Sequence, residues 1–198
     1  MEKPAELDAR PQPPIEDAQS SEPVMLDEQY AELMRVTGVY KRQAEKCATA
    51  GAYLAGCIMI GAALEAALLA ICDCYYDDIP DELKPRRKKR PLPVIEWDFF
   101  DLMDIARELN WLPVGLDRGE EWSSKKAAIG DYAEEVRRLR NLVHPACYVQ
   151  EMPRKRITER YYDHCQEVYG ACIDYLLDKI GRSLKDAVDK EESEGKQV

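Results

Sequence analysis

Apolar residues crowd into one uninterrupted run over residues 47–75. Between residues 48 and 74 the only ionisable acids are Glu65 and Asp73. A surface that is apolar on every side predicts a helix enclosed by other helices. Elsewhere apolar residues recur at the helical period. Tyr30, Leu33, Met34 and Tyr40 predict a helix over 26–46, with Asp27 as its cap. Phe99, Leu102, Met103, Ile105, Ala106 and Leu109 predict another over 98–110, ended by Asn110-Trp111-Leu112-Pro113. Ser123 or Ser124 would cap a further helix running to about Val143, and 147–151 extend it briefly before Pro153. Tyr161, Cys165, Val168, Tyr169, Cys172, Ile173, Leu176 and Leu177 predict a last helix over 157–180, with Gly181 as C-cap. The sum is an all-α bundle of four to five helices around a central apolar one. No internal repeat is present.

The ends read differently. Residues 1–25 hold five of the twelve prolines, many acids and few large apolar groups. Such a segment buries too little surface to offset its ordering entropy, so a disordered tail is expected. The same argument makes 182–198 a disordered charged tail and leaves 26–181 as one domain. Residues 77–97 carry Pro80, Pro85, Pro91 and Pro93, and a basic run over 84–90 broken only by Pro85. A long loop with a solvated charged surface is expected there.

Composition adds little to the fold and more to the function. Hydrophobic residues make up 45% and charged residues 33%, enough for one ordinary core. Ten glycines, two phenylalanines and few β-branched runs lean away from an all-β fold. The net charge of -10 is uneven: residues 1–28 carry -6, residues 182–198 carry -1, and the middle carries -3. So acidic a chain is a poor general binder of nucleic acid, but a local basic patch on a near-neutral body can hold one. The seven cysteines are odd in number, several lie in apolar runs, and no CxxC pair or signal peptide accompanies them. Reduced thiols in a cytoplasmic protein are expected. A zinc site from Cys72, Cys74, Cys147 and His144 lacks ligand spacing, so no metal or other cofactor is expected. The 47–75 run is long enough to span a membrane. Its many glycines and alanines, and the cost of about 2.5–3.5 kcal/mol for an acid such as Glu65, favour a domain core instead.

The stretch with chemical potential is Arg137-Arg138-Leu139-Arg140-Asn141-Leu142-Val143-His144-Pro145. With about 100° per residue, Arg137, Arg140, Asn141 and His144 share one stripe, while Leu139, Leu142 and Val143 face elsewhere. Pro145 disfavours helical geometry just before it, which puts His144 at a helix end. Histidine both takes and gives a proton near neutral pH. An arginine beside it holds a phosphate and stabilises developing negative charge. Asn141 can hold a ribose or phosphate oxygen, or fix the imidazole tautomer. These parts suit metal-independent RNA cleavage, in which the 2′-hydroxyl attacks the adjacent phosphate. One histidine is thin for both proton transfers, so a second copy of the chain would help. The plainer reading is that arginines suit a helix C-terminus and that Asn141 and His144 tie down the turn. Glu65, an acid on an apolar helix, is expected to meet Arg137 or Arg140, to orient it or simply to hold the core. Tyr148 is either a stacking platform for a base or ordinary packing, and His164 an ordinary helix residue. Arg154, Lys155, Arg156 and Arg160 form a second basic cluster, most simply solvated. With the 84–90 run, it would make a phosphate track if both flank the motif.

Arg140-Asn141-Leu142-Val143-His144-Pro145, preceded by Arg137-Arg138-Leu139, resembles the signature of HEPN domains, small α-helical domains of prokaryotes and higher eukaryotes. Leu64-Glu65-Ala66-Ala67-Leu68-Leu69, within 54–69, is similar to an upstream helix of bacterial HEPN-like proteins. The resemblance covers about residues 30–180. The family pattern is an arginine, four to six residues, then a histidine, often with a polar residue directly after the arginine. This chain departs from it. Arg140 has the polar follower Asn141 but only three intervening residues. Arg138 has five, but Leu139 follows it and it points about 120° away from His144. Arg137 has six, yet Arg138 follows it. The resemblance implies a homodimeric, metal-independent endoribonuclease of a toxin–antitoxin, phage-defence or RNA-processing system. His144 would be general acid/base, and Arg140 or Arg137 would sit on the scissile phosphate. It equally implies the alternative seen in members without catalysis, a module that binds a nucleotide or a protein such as an antitoxin.

Overall fold

The computed structural model describes residues 24–112, 129–151 and 156–195. Six helices lie among them: α1 Asp27–Thr49, α2 Tyr53–Cys74, α3 Phe99–Glu108, α4 Ile129–Asn141, α5 Pro145–Glu151 and α6 Glu159–Gly195. Among the described residues the one sheet is a ladder of β1 Arg86–Arg87 with antiparallel β2 Arg90–Pro91. The fold is all-α, as the periodicity predicts.

Helix α2 is the centre. It packs against α1, α3, α4 and α6, and Ile60, Leu64 and Leu68 are sealed from solvent. Its small residues set how near the neighbours come. A Cβ on Gly61 would lie 2.4 Å from Arg140 Cβ and 3.2 Å from the Val136 carbonyl oxygen on α4. One on Gly56 would lie 2.8 Å from the Tyr162 ring on α6 and 3.3 Å from the Ala44 carbonyl on α1. The small residues are therefore contact surface. Among the described residues α2 is also the one helix long and apolar enough to cross a membrane, and 56% of its most apolar window is buried by the other helices.

The apolar run does not form a single helix. Cys47 to Thr49 complete α1, and the chain breaks at Gly51, whose φ of 73° is left-handed. The Ala52 amide donates to the Cys47 carbonyl and the Gly51 amide to Ala48, both at 2.8 Å, which closes a Schellman motif. Helix α3 ends the same way on Asn110, at φ 54°, with the Trp111 amide donating to the Ala106 carbonyl at 2.8 Å. Asp98 starts that helix, its Oδ1 accepting from the Asp101 amide at 2.9 Å.

Four further expectations need correction. Leu26, not Asp27, occupies the α1 cap position, its amide donating to Gln29 Oε1 at 3.0 Å. Asp27 instead sits in the first turn, where it complements the helix dipole. Met25, assigned to the leading tail, is buried, and its amide donates to Asp73 Oδ1 at 2.6 Å. Residues 1–23 lie outside the described residues. Helix α6 runs through Gly181 to Gly195, so 182–195 are helical. A glycine inside a helix costs about 1 kcal/mol, whereas extending a formed helix needs no new nucleus. Lys84, counted in the solvated run, is buried, its Nζ lying 4.2 Å from the Tyr76 ring centroid and 3.0 Å from Asp81 Oδ1.

The rest of the 77–97 loop is ordered by Ile79, Val94 and Trp97, all buried. Trp97 Nε1 donates to the Leu92 carbonyl at 3.0 Å. The hairpin turns on Lys88 and Lys89, whose φ values are 50° and 71°. Left-handed backbone at both central positions is what a two-residue hairpin needs, but outside glycine it costs roughly 1–2 kcal/mol per residue.

Gly61→Ala should lower stability by about 1–3 kcal/mol, because the α2–α4 contact has no space for a methyl group. Gly170, on α6, has nothing within 4 Å of an added Cβ. Gly170→Ala should raise stability by about 0.5–1 kcal/mol. Urea unfolding midpoints check both, and equal midpoints for Gly61→Ala and the parent would contradict the close approach.

Candidate functional site

The last turns of α4 bury Ala133 and Val136, Leu142 is buried just beyond its end, and the arginines are presented around that inner face. Each takes a different partner. Arg137 forks onto Glu134, with Nε 2.8 Å from Oε2 and Nη2 2.6 Å from Oε1. Its guanidinium carbon also lies 5.6 Å from the Phe100 ring centroid. Arg138 is exposed and reaches Glu134 at 3.7 Å and Glu135 at 3.4 Å. Arg140 crosses to α2, where Nη2 lies 2.7 Å from Glu65 Oε2 and 3.1 Å from Oε1. Its Nη1 donates to Asn141 Oδ1 at 3.3 Å. Of the two arginines proposed for Glu65, the partner is Arg140. Gly61 makes that possible, since it lies one turn before Glu65 and admits the base of the arginine side chain.

Helix α4 ends at Asn141 rather than near Val143. The amides of Leu142, Val143 and His144 donate to the carbonyls three residues back, at 3.2, 3.3 and 3.0 Å. This is a 3-10 turn, in which residues i and i+3 eclipse. The last step of the stripe is thus made with the tighter period, and His144 follows Asn141 by one 3-10 turn. Pro145 is the first residue of α5, a position that needs no amide proton.

His144 is exposed. Its backbone carbonyl accepts from the Tyr148 amide at 3.0 Å, and its ring has no hydrogen bond or ion pair among the described residues. Tyr148 is half-exposed one turn further along α5, and Val143 and Val149 flank it in solvent.

Electrostatics separate the two carboxylates. Burial pushes the Glu65 carboxyl above its ordinary value, the Arg140 attraction and hydrogen bond pull it back, and Asp98 raises it again, leaving a net rise. Glu134 moves the other way, chiefly because Arg137 bonds to its charged form.

The other sequence candidates do not join this group. Among the described residues no three of His, Cys, Asp and Glu converge, so Cys72, Cys74, Cys147 and His144 are not a ligand set. Cys72 is sealed in α2, while Cys74 is exposed and donates to the Tyr30 hydroxyl at 3.4 Å. His164 lies on α6 with Arg160, Tyr161 and Asp163 along an open groove. Arg154 and Lys155 lie outside the described residues, and Arg156 and Arg160 are exposed. Two neighbours of the site were not singled out by sequence, Asp98 beside Glu65 and Phe100 beside Arg137. The available signal was the Phe99-Phe100 pair at a helix start, of which only one ring can face the core.

No known family model, curated protein or solved structure matches this chain.

The opposite shifts give opposite pH signatures. A raised carboxyl binds its proton more tightly in the folded state, so the stability linked to Glu65 is full below its ordinary value of 4.5 and declines as pH rises through the folded value. The part linked to Glu134 is present above 4.5 and is lost as pH falls through its lowered value. Relative to the parent, Glu65→Gln should therefore fare better at pH 7 than at pH 4, and Glu134→Gln better at pH 3 than at pH 7. Urea midpoints across pH 3–7 test this, and parallel curves for all three proteins would refute the assignment.

Proposed function

We propose that the chain is a HEPN-type domain that cleaves RNA without a metal ion, acting as a homodimer in a cytoplasmic toxin, phage-defence or RNA-processing system. The observation that carries the reading is the arrangement of His144, Asn141, Arg140 and Glu65. An imidazole that is exposed and has no partner among the described residues follows, by one 3-10 turn, the amide that holds Arg140, and Glu65 fixes the same guanidinium from the central helix.

In this reading His144 takes the proton of the ribose 2′-hydroxyl as its oxygen bonds to phosphorus. The bond from phosphorus to the 5′-oxygen breaks, and that oxygen gains a proton. The products are a 2′,3′-cyclic phosphate and a 5′-hydroxyl. The second proton transfer falls to His144 of a second copy, which is why the reading requires a dimer. Arg140 faces the charge that builds on the phosphate, and Asn141 keeps its guanidinium in place. Arg140, whose orientation is set from the central helix by Glu65, is the phosphate ligand in this reading, whereas Arg137 follows Glu134 of its own helix. Glu65 is a positioning residue for Arg140.

One observation favours the alternative, a non-catalytic module for a nucleotide or a protein such as an antitoxin. Val143, Tyr148 and Val149 expose 55%, 39% and 68% of their surface around the motif, an apolar border suited to a protein partner.

Incubating the full chain with RNA in EDTA decides between them. Cleavage should fall about 100-fold or more in His144→Ala and in Arg140→Ala, with cyclic-phosphate ends on the parent's products. Glu65→Gln should lower the rate while the domain stays folded. Absence of cleavage by the well-folded parent, together with a tight protein partner in pull-down, would replace the enzyme with the module.

A further inference from the structure

The hairpin over 86–90 is five consecutive cations, all exposed, in a chain of net charge -10. Nothing in its local packing calls for them. Arg86, Arg87, Arg90 and Pro91 of the ladder are all exposed, so no core depends on them. Arg87 and Arg90 stand directly opposite each other, a like-charge pairing that weakens a ladder. Lys88 and Lys89 occupy left-handed backbone usually left to glycine or asparagine. Arg87 has a distant acid, Glu96, at 3.9 Å, and Arg86 donates to the Asp81 carbonyl at 3.0 Å. Lys88, Lys89 and Arg90 have no ionic partner among the described residues. An arrangement unfavourable in charge and in backbone is therefore presented outward.

From the hairpin the chain runs on into the start of α3, where Phe100 lies. Glu96, which touches Arg87, precedes Phe100 by four residues, a reach of at most about 14 Å. Phe99 is buried, but Phe100 is 53% exposed, with the Arg137 guanidinium 5.6 Å from its ring. Arg140 follows Arg137 by one helical turn. Asp98 and Asp101, which also lie at this edge, are engaged with each other's backbone amides at the start of α3. Loose cations and an exposed aromatic ring a few residues further along the chain are the two parts that single-strand binding surfaces combine, phosphate attraction and base stacking.

We propose that the Arg86–Arg90 hairpin and Phe100 form a binding track for single-stranded RNA, the cations holding its phosphates and Phe100 stacking one base on the way to Arg140 and His144. This rests on the ribonuclease reading for its choice of ligand. An anionic membrane would use the cations but has no base to stack, so the exposed ring favours a nucleic acid.

The test uses the full chain carrying His144→Ala, so that the probe survives. Binding of a 5′-fluorescein decauridylate is followed by anisotropy between 50 and 300 mM KCl. Lys88→Ser with Lys89→Ser should weaken binding about 5–20-fold at 100 mM salt. It should also flatten the slope of log affinity against log salt by about 0.7 for each phosphate no longer neutralised. Phe100→Ala should weaken binding about tenfold with the salt slope unchanged, and Phe100→Tyr should restore it. Thermal melts confirm that each variant is folded. Unchanged affinity in both variants overturns the track, as does a hairpin that governs binding to phosphatidylserine vesicles but not to the RNA. RNA cleaved by the His144-containing chain, with binding indifferent to hairpin and ring, removes the track and leaves the nuclease. RNA bound through both but never cut removes the nuclease and leaves the track.

Discussion

The contact between Glu65 and Arg140 ties the centre of the bundle to its one chemically suggestive edge. It exists because α2 carries a glycine one turn before the glutamate. Without a side chain at position 61, α4 approaches until the stem of Arg140 lies against α2 backbone, and the guanidinium then meets the carboxylate at 2.7 Å. Both groups are partly buried, so neither has full access to water as an alternative partner. Breaking such a pair by deleting one member leaves the other charge poorly solvated, which is how a contact of small net stability still fixes geometry.

The neighbouring arginines show the same principle with different outcomes. Arg137 is neutralised within its own helix and covers an aromatic ring, while Arg138 exchanges weak contacts in solvent. Arg140 is held by an acid of a different element, Glu65 of α2. A guanidinium whose orientation is set by tertiary structure suits recognition of a fixed anion better than one that follows its own helix surface. The His144 imidazole is exposed beyond the same helix end.

Much of this was legible in the residues, for physical reasons. Periodicity finds α3 and α6 because each buries one face, and α1 because Tyr40 and Ala44 pack on the core although Met34 stays exposed, while the all-round apolar character of α2 marks its central place. The Glu65 pairing was legible because a lone acid in an apolar helix needs a cation. What the pattern could not supply depends on backbone geometry. The break at Gly51 is hidden because glycine also occurs inside α2, where Gly56 and Gly61 serve packing instead. The passage of α6 through Gly181 is hidden for the complementary reason, that a formed helix tolerates one poor residue. The burial of Lys84 within a charged run follows from a tertiary contact with Tyr76 that sequence spacing does not encode. The ranking of the arginines needed the tighter turn after Asn141, and the proximity of Phe100 needed α3 docked on α4.

The Schellman closure at Gly51 has a consequence for assembly. It joins two long helices through a three-residue connection, so most of the contacts between α1 and α2 are local in sequence and form with little loop entropy. The Arg140–Glu65 contact closes a separation of 75 residues and must wait for α4 to dock. A helical hairpin that matures early and a site that completes late make the site the first feature to go in partial opening. Hydrogen exchange in α4 would accordingly outpace that of α2, and the Arg140–Glu65 contact would open before the bundle does.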